Sequence, residues 1–107
     1  MYENTLSDFF KTIQNHDWIT HSHICIYTAI LELWHQNKFV NPVPVSRFTL
    51  MSMSKVSSNA TYHKCIKELV KGKHITYFPS YNPFYGSLIH VLMVSSEIER
   101  ERPHLNN

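Results

Sequence analysis

Between residues 20 and 37 the apolar side chains fall into two adjacent helical stripes, Ile24, Tyr27, Leu31 and Trp34 in one and Ile26, Ile30 and Leu33 in the other. A helix that is apolar on two faces needs cover on both, so the other elements of the chain have to pack around it. With 107 residues there is one domain's length of chain to provide that cover, enough to bury a single core without a disulfide framework or a structural metal. An apolar fraction of 43%, a charged fraction of 17% and only two glycines fit a folded globular chain and exclude a low-complexity one.

The covering elements are readable on either side. Upstream, Leu6, Phe9, Phe10 and Ile13 sit at helical spacing and predict a short amphipathic helix over residues 6–14, with Thr5 or Ser7 as its cap. Downstream, Pro42 and Pro44 forbid a helix over residues 39–45 and lack the amides a central strand would use, so that segment is expected at a sheet edge. Ser46 then offers a cap for a short helix with Phe48, Leu50, Met51 and Met53, and the turn Ser54-Lys55-Val56 leads to a second helix capped by Ser57 or Ser58. In that second helix Tyr62, Cys65, Ile66, Leu69 and Val70 are expected to face inward, leaving Asn59, Ala60, His63, Lys64, Lys67 and Lys71 outward. Gly72 marks its end, and Ile75 to Phe78 and residues 88–94 read as strands joined by a turn-rich loop, together a β-hairpin. One core is expected from Ile24, Tyr27, Leu31, Trp34, Leu50, Tyr62, Ile66, Leu69, Ile75 and Val91.

Charge is unevenly spread. Residues 46–74 hold Arg47, Lys55, Lys64, Lys67, Lys71 and Lys73 against the single acid Glu68, a local charge of +5 within a chain whose net charge is +2, so the remainder is −3. A basic segment on a mildly acidic body is the footprint of a polyanion site.

The order helix, edge strand, helix, tight turn, helix, hairpin, and above all the stretch SKVSSNATYHKCIKELVKGKHITYFPS, resembles the winged helix-turn-helix family from about Thr20 to Val94. More narrowly, NPVPVSR, an STYHKC-like element that here departs to NATYHKC, and NPFYGS together resemble small winged-helix proteins of phages and mobile elements of Bacteroidetes bacteria. The resemblance implies an α+β, mostly helical fold, with a three-helix core plus a β-hairpin wing. It implies a winged-helix domain over residues 20–94, while the helical spacing before it reads as an N-terminal helical extension over 1–19 and the Glu- and Arg-bearing stretch after it as a solvated tail over 95–107. One departure stands out: the family's glycine two residues before the wing isoleucine is here Lys73, with glycine at Gly72. Either the helix end is shifted by one residue or Lys73 takes a strained conformation.

The function expected is sequence-selective binding of double-stranded DNA, as a transcriptional regulator or mobile-element accessory factor, with a homodimer as a further possibility. A helix start with small polar residues fits a major groove, its amides and dipole favouring phosphate. Asn59, Thr61, His63 and Lys64 are the expected base readers, asparagine because it can bond adenine bidentately. Lys55, Ser57, Ser58, Lys67, Lys71 and Lys73 are expected on phosphates, and Tyr81, Asn82 and Tyr85 of the wing along a phosphate or the minor groove. The alternative is a winged helix used for protein assembly, motivated by an aromatic patch of Phe9, Phe10, Phe84 and Tyr85 if exposed.

Other functions find little support. His21, His23 and Cys25 lie close, yet residues two apart on a helix diverge, so His21 and His23 read as first-turn residues at the solvent and no metal is expected. Cys25 and Cys65 both read as reduced, buried thiols within helices. The sequence holds no phosphate loop, paired carboxylates in an apolar setting or nucleophile elbow, so neither catalysis, a cofactor nor a small-molecule substrate is expected. The start lacks the pattern of a signal segment and no apolar run is long enough for a membrane span, so the expected location is cytoplasmic.

Overall fold

The helix with two apolar stripes is α2, His21–Gln36. The computed structural model describes residues 2–79 and 86–92, residues 2–5 as backbone only. Around α2 stand α1 (Tyr2–Ile13), β1 (Val43–Val45), α3 (Arg47–Ser54), α4 (Asn59–Lys71), β2 (Ile75–Phe78) and β3 (Ser87–Val91), a small, mostly helical α+β arrangement with one antiparallel sheet. Ile26, Tyr27, Ala29, Ile30, Leu31 and Trp34 of α2 are buried against Leu50 of α3, Tyr62, Cys65, Ile66 and Leu69 of α4 and the inward residues of all three strands. Ile24 is only partly buried against this cluster, because its stripe runs out beside the first turn of the helix.

Helix α1 begins one turn before the apolar spacing that betrays it, since periodicity marks only the turns that pack. It docks through Phe9, which is fully buried and stacks on Tyr27 at 4.2 Å between ring centroids.

The strand order is β1-β3-β2, so β3 is the partner of both others, Val43 opposite Ile89 on one side and Ile75 opposite Val91 on the other. Pro44 occupies the exposed middle position of β1 at the sheet edge, where its missing amide costs no ladder bond. Beyond the last pair of β1, the Asn41 carboxamide takes over the part of a peptide group: its Nδ2 donates to the Val91 carbonyl and its Oδ1 accepts from the Val91 amide, both at 3.0 Å. Gly86 enters β3 with φ of +65°, and a Cβ there would lie 2.6 Å from the Val45 carbonyl oxygen, so only glycine fits.

The α4–β2 junction answers the question raised by Gly72 and Lys73. Gly72 has φ of −79° while Lys73 takes the left-handed value, φ of +65°, so the strained alternative holds. Gly72 is small for a different reason: a Cβ would come within 3.0 Å of the Trp18 ring, which lies across this turn.

Two inward assignments need correction. Val70 is 37% exposed, because it stands at the margin of the stripe that Leu69 centres. Cys25 is exposed and only Cys65 is buried; burial pushes the Cys65 thiol up from its usual pKa, with Glu68 adding to the effect.

Candidate functional site

Helices α3 and α4 meet across four residues, and local hydrogen bonds set both helix starts. The Ser46 hydroxyl accepts from the Thr49 amide at 3.0 Å and the Ser58 hydroxyl from the Thr61 amide at 3.2 Å, which makes Ser58, not Ser57, the cap of α4. Lys55 closes α3 in the left-handed conformation, φ of +62°, and buried Val56 pins the turn to the core. The amides of Asn59 and Ala60, in the first turn of α4, have no acceptor within their own helix.

Along α4 the two faces separate as expected apart from Val70. Tyr62, Cys65, Ile66 and Leu69 are buried, whereas Asn59, Ala60, His63, Lys64, Lys67 and Lys71 are exposed and recur at three- and four-residue spacing as one stripe. Thr61 is half-buried beside them, and Lys55, Ser57 and Lys73 are exposed at the two ends of the helix. The Tyr62 hydroxyl stays protonated at neutral pH: burial, with Tyr77 adding and Arg47 opposing, pushes its pKa up to about 12. Tyr81, Asn82 and Tyr85 lie outside the described residues.

Glu68, the lone acid of the basic segment, does not dilute this stripe. Its carboxylate is turned to α2, where Oε1 lies 2.7 Å from Nε2 of His23. The Thr20 amide donates to His23 Nδ1 at 2.9 Å, so Nδ1 accepts, the proton resides on Nε2, and the ring donates to Glu68. His23 is buried, in a T-shaped contact with Trp18 at 5.1 Å between ring centroids, and the expectation that it lies at the solvent is wrong. A histidine at the third position of a helix can return a bond to the cap residue as glutamate does, and here the other nitrogen is committed to α4.

Sequence reasoning missed an open groove of about 510 Å³ between α3 and the start of α4. It is lined by Arg47, Phe48 and Met51 of α3, by Lys55 and Ser57 of the turn and by Asn59 at the start of α4. Phe48 is 81% exposed on it. Arg47 contributed to the regional charge count, but only the fold reveals that it and Phe48 line the same groove as Asn59.

The aromatic patch that motivated an assembly role loses Phe9 to the core, while Phe10 remains exposed and Phe84 and Tyr85 lie outside the described residues. Among the described residues no group of three or more His, Cys, Asp or Glu side chains is placed to hold a metal ion, and no helix is long and apolar enough to cross a membrane. Comparison with protein-family models, curated proteins and solved structures finds no match to this chain.

Proposed function

We propose that this chain is a winged-helix domain that binds double-stranded DNA in a sequence-selective manner, with the start of α4 in the major groove and the hairpin of β2 and β3 as its wing. Its role would be that of a transcriptional regulator or a mobile-element accessory factor. The observation that carries the reading is the exposed stripe of α4, which joins polar Asn59, His63 and Lys64 to basic Lys67 and Lys71 with the one local acid drawn off to His23. The element order and the β1-β3-β2 sheet agree with the same reading.

Helix dimensions divide the work among these residues. Thirteen residues at 1.5 Å rise give α4 a length of about 20 Å, against a major groove about 12 Å wide. With its N-terminus in the groove, only the first two turns meet base edges. Asn59, His63 and Lys64 read bases, with Thr61 beside them, whereas Lys55, Ser57, Lys67, Lys71 and Lys73 meet phosphates on either side. Ser58 serves the helix start itself.

The test is to select a preferred duplex from a random pool and titrate wild type and variants against it at several salt concentrations. Asn59→Ala or Lys64→Ala is expected to weaken the preferred site by about 1 to 3 kcal/mol and random duplex less. Lys67→Ala and Lys71→Ala weaken all duplexes alike, each reducing the salt slope by about one unit. No duplex binding at low salt by a folded, monodisperse sample refutes the proposal and promotes the protein-assembly role.

A further inference from the structure

A phenylalanine 81% exposed at the start of a helix, next to a cation, has no explanation in the stability of the fold. Phe48 is the most exposed large apolar side chain among the described residues, in the first turn of α3, next to Arg47. The side chain nearest to it in sequence on the other side, Thr49, is tied to Ser46 at 2.8 Å and does not cover it. Half-buried Met51, one turn on, continues the apolar strip in the lining of the groove, and Asn59 lines the same groove from the start of α4. The groove has no acidic residue in its lining, while Arg47 and Lys55 give it a basic rim. The occupant that would match this lining is a polyanion that presents a small apolar group close to a hydrogen-bonding edge. Duplex DNA supplies that combination at thymine, whose C5-methyl projects into the major groove beside the donors and acceptors of the adjacent pairs.

We infer that Phe48 reads the C5-methyl of one thymine in the bound duplex, next to the base pair that Asn59 reads. This rests on the duplex-binding reading above and adds a base preference to it. Phe48 and Met51 supply the apolar contact, Arg47 and Lys55 hold the flanking phosphates, and a deoxyuridine at the same place, lacking only the methyl, leaves Phe48 in contact with nothing.

The experiment replaces each thymine of the selected duplex by deoxyuridine, one at a time, and measures binding by fluorescence anisotropy with wild type, Phe48→Ser and Phe48→Leu. Because Phe48 is at the surface, both variants are expected to melt like wild type, which circular dichroism checks. Wild type is expected to lose about fourfold in affinity at one thymine position, the equilibrium worth of one buried methyl group. Phe48→Ser binds the thymine duplex less tightly and is indifferent to the exchange there, and Phe48→Leu keeps part of the discrimination. Equal wild-type affinity for every deoxyuridine duplex overturns the inference, as does a selected site without thymine near the Asn59 contact, or a penalty that persists in Phe48→Ser. In each of those results DNA binding itself stands; absence of binding to any duplex removes the proposed function and this inference together.

Discussion

Leu69 and Val70 are neighbours in sequence with the same helical spacing arguments behind them, yet the fold gives them opposite surroundings, and alanine at each measures the difference. Leu69 has no exposed surface and lies in the core beneath α2, whereas Val70 is 37% exposed. Truncating Leu69 removes three buried carbons, about 2.4 kcal/mol at about 0.8 kcal/mol per methylene, and the cavity left behind raises the cost to about 3 to 4 kcal/mol. Against a total stability of about 5 to 15 kcal/mol that is a large share, and it lowers the melting temperature by about 12 to 25 °C in a domain of this size. For Val70→Ala the small lost contact is offset by alanine's better helix propensity, leaving a change within about 0.5 kcal/mol. Urea unfolding followed by circular dichroism gives both values with the slope m as a check on the denatured state. Equal losses at the two positions, or a loss under about 1 kcal/mol for Leu69→Ala, would refute the packing of α4 described above.

Two further outcomes follow from single residues. His74 is buried among Phe9, Tyr27 and Trp18, and burial, with His16 adding, lowers its pKa below the usual imidazole value; the fold thus favours the neutral ring, so its stabilising share is complete above about pH 6.5 and declines as pH falls toward the folded-state value. Thermal melts between pH 7.5 and 5 should show His74→Leu with a shallower acid loss than wild type, and parallel curves would refute this. Lys73, left-handed without being glycine, is expected to gain about 1 kcal/mol on change to glycine and nothing on change to alanine. Both variants should lower the salt slope of duplex binding by about one unit, so a stability gain shared by alanine would refute the strain argument.

What the sequence made readable was whatever depends on spacing within one element. The stripes of α2 and α4, the edge position of Pro44, the span of β2 and the outward row from Asn59 to Lys71 all follow from local periodicity or from a missing amide. Features made by two distant segments were beyond it. His23 looked like a solvent residue because its acceptor, Glu68, is 45 positions away, and Phe48 looked like one more apolar residue in a helix pattern until α4 stood beside it. Trp18 at Gly72 is of the same kind, since the size limit there is imposed by a ring from before α2. Val70 and Cys25 failed for a humbler reason: a stripe has margins, and its letters do not mark where cover ends.

The position of β3 between β1 and β2 sets a temporal order on folding. Neither outer strand bonds to the other, so the backbone groups that each offers the sheet wait for a segment made after both. Val43 meets Ile89 only once α3, α4 and β2 have all been looped out between them, a closure whose entropic cost precedes any reward from pairing, whereas the α3–α4 turn needs only neighbours in sequence. On the ribosome, a nascent chain that ends short of Ser87 therefore lacks the common partner of β1 and β2, and the sheet can close only after β3 emerges. Synthesis that pauses before that point leaves both edges of β1 and of β2 unpaired, and a pause after it leaves only the outer edge of each.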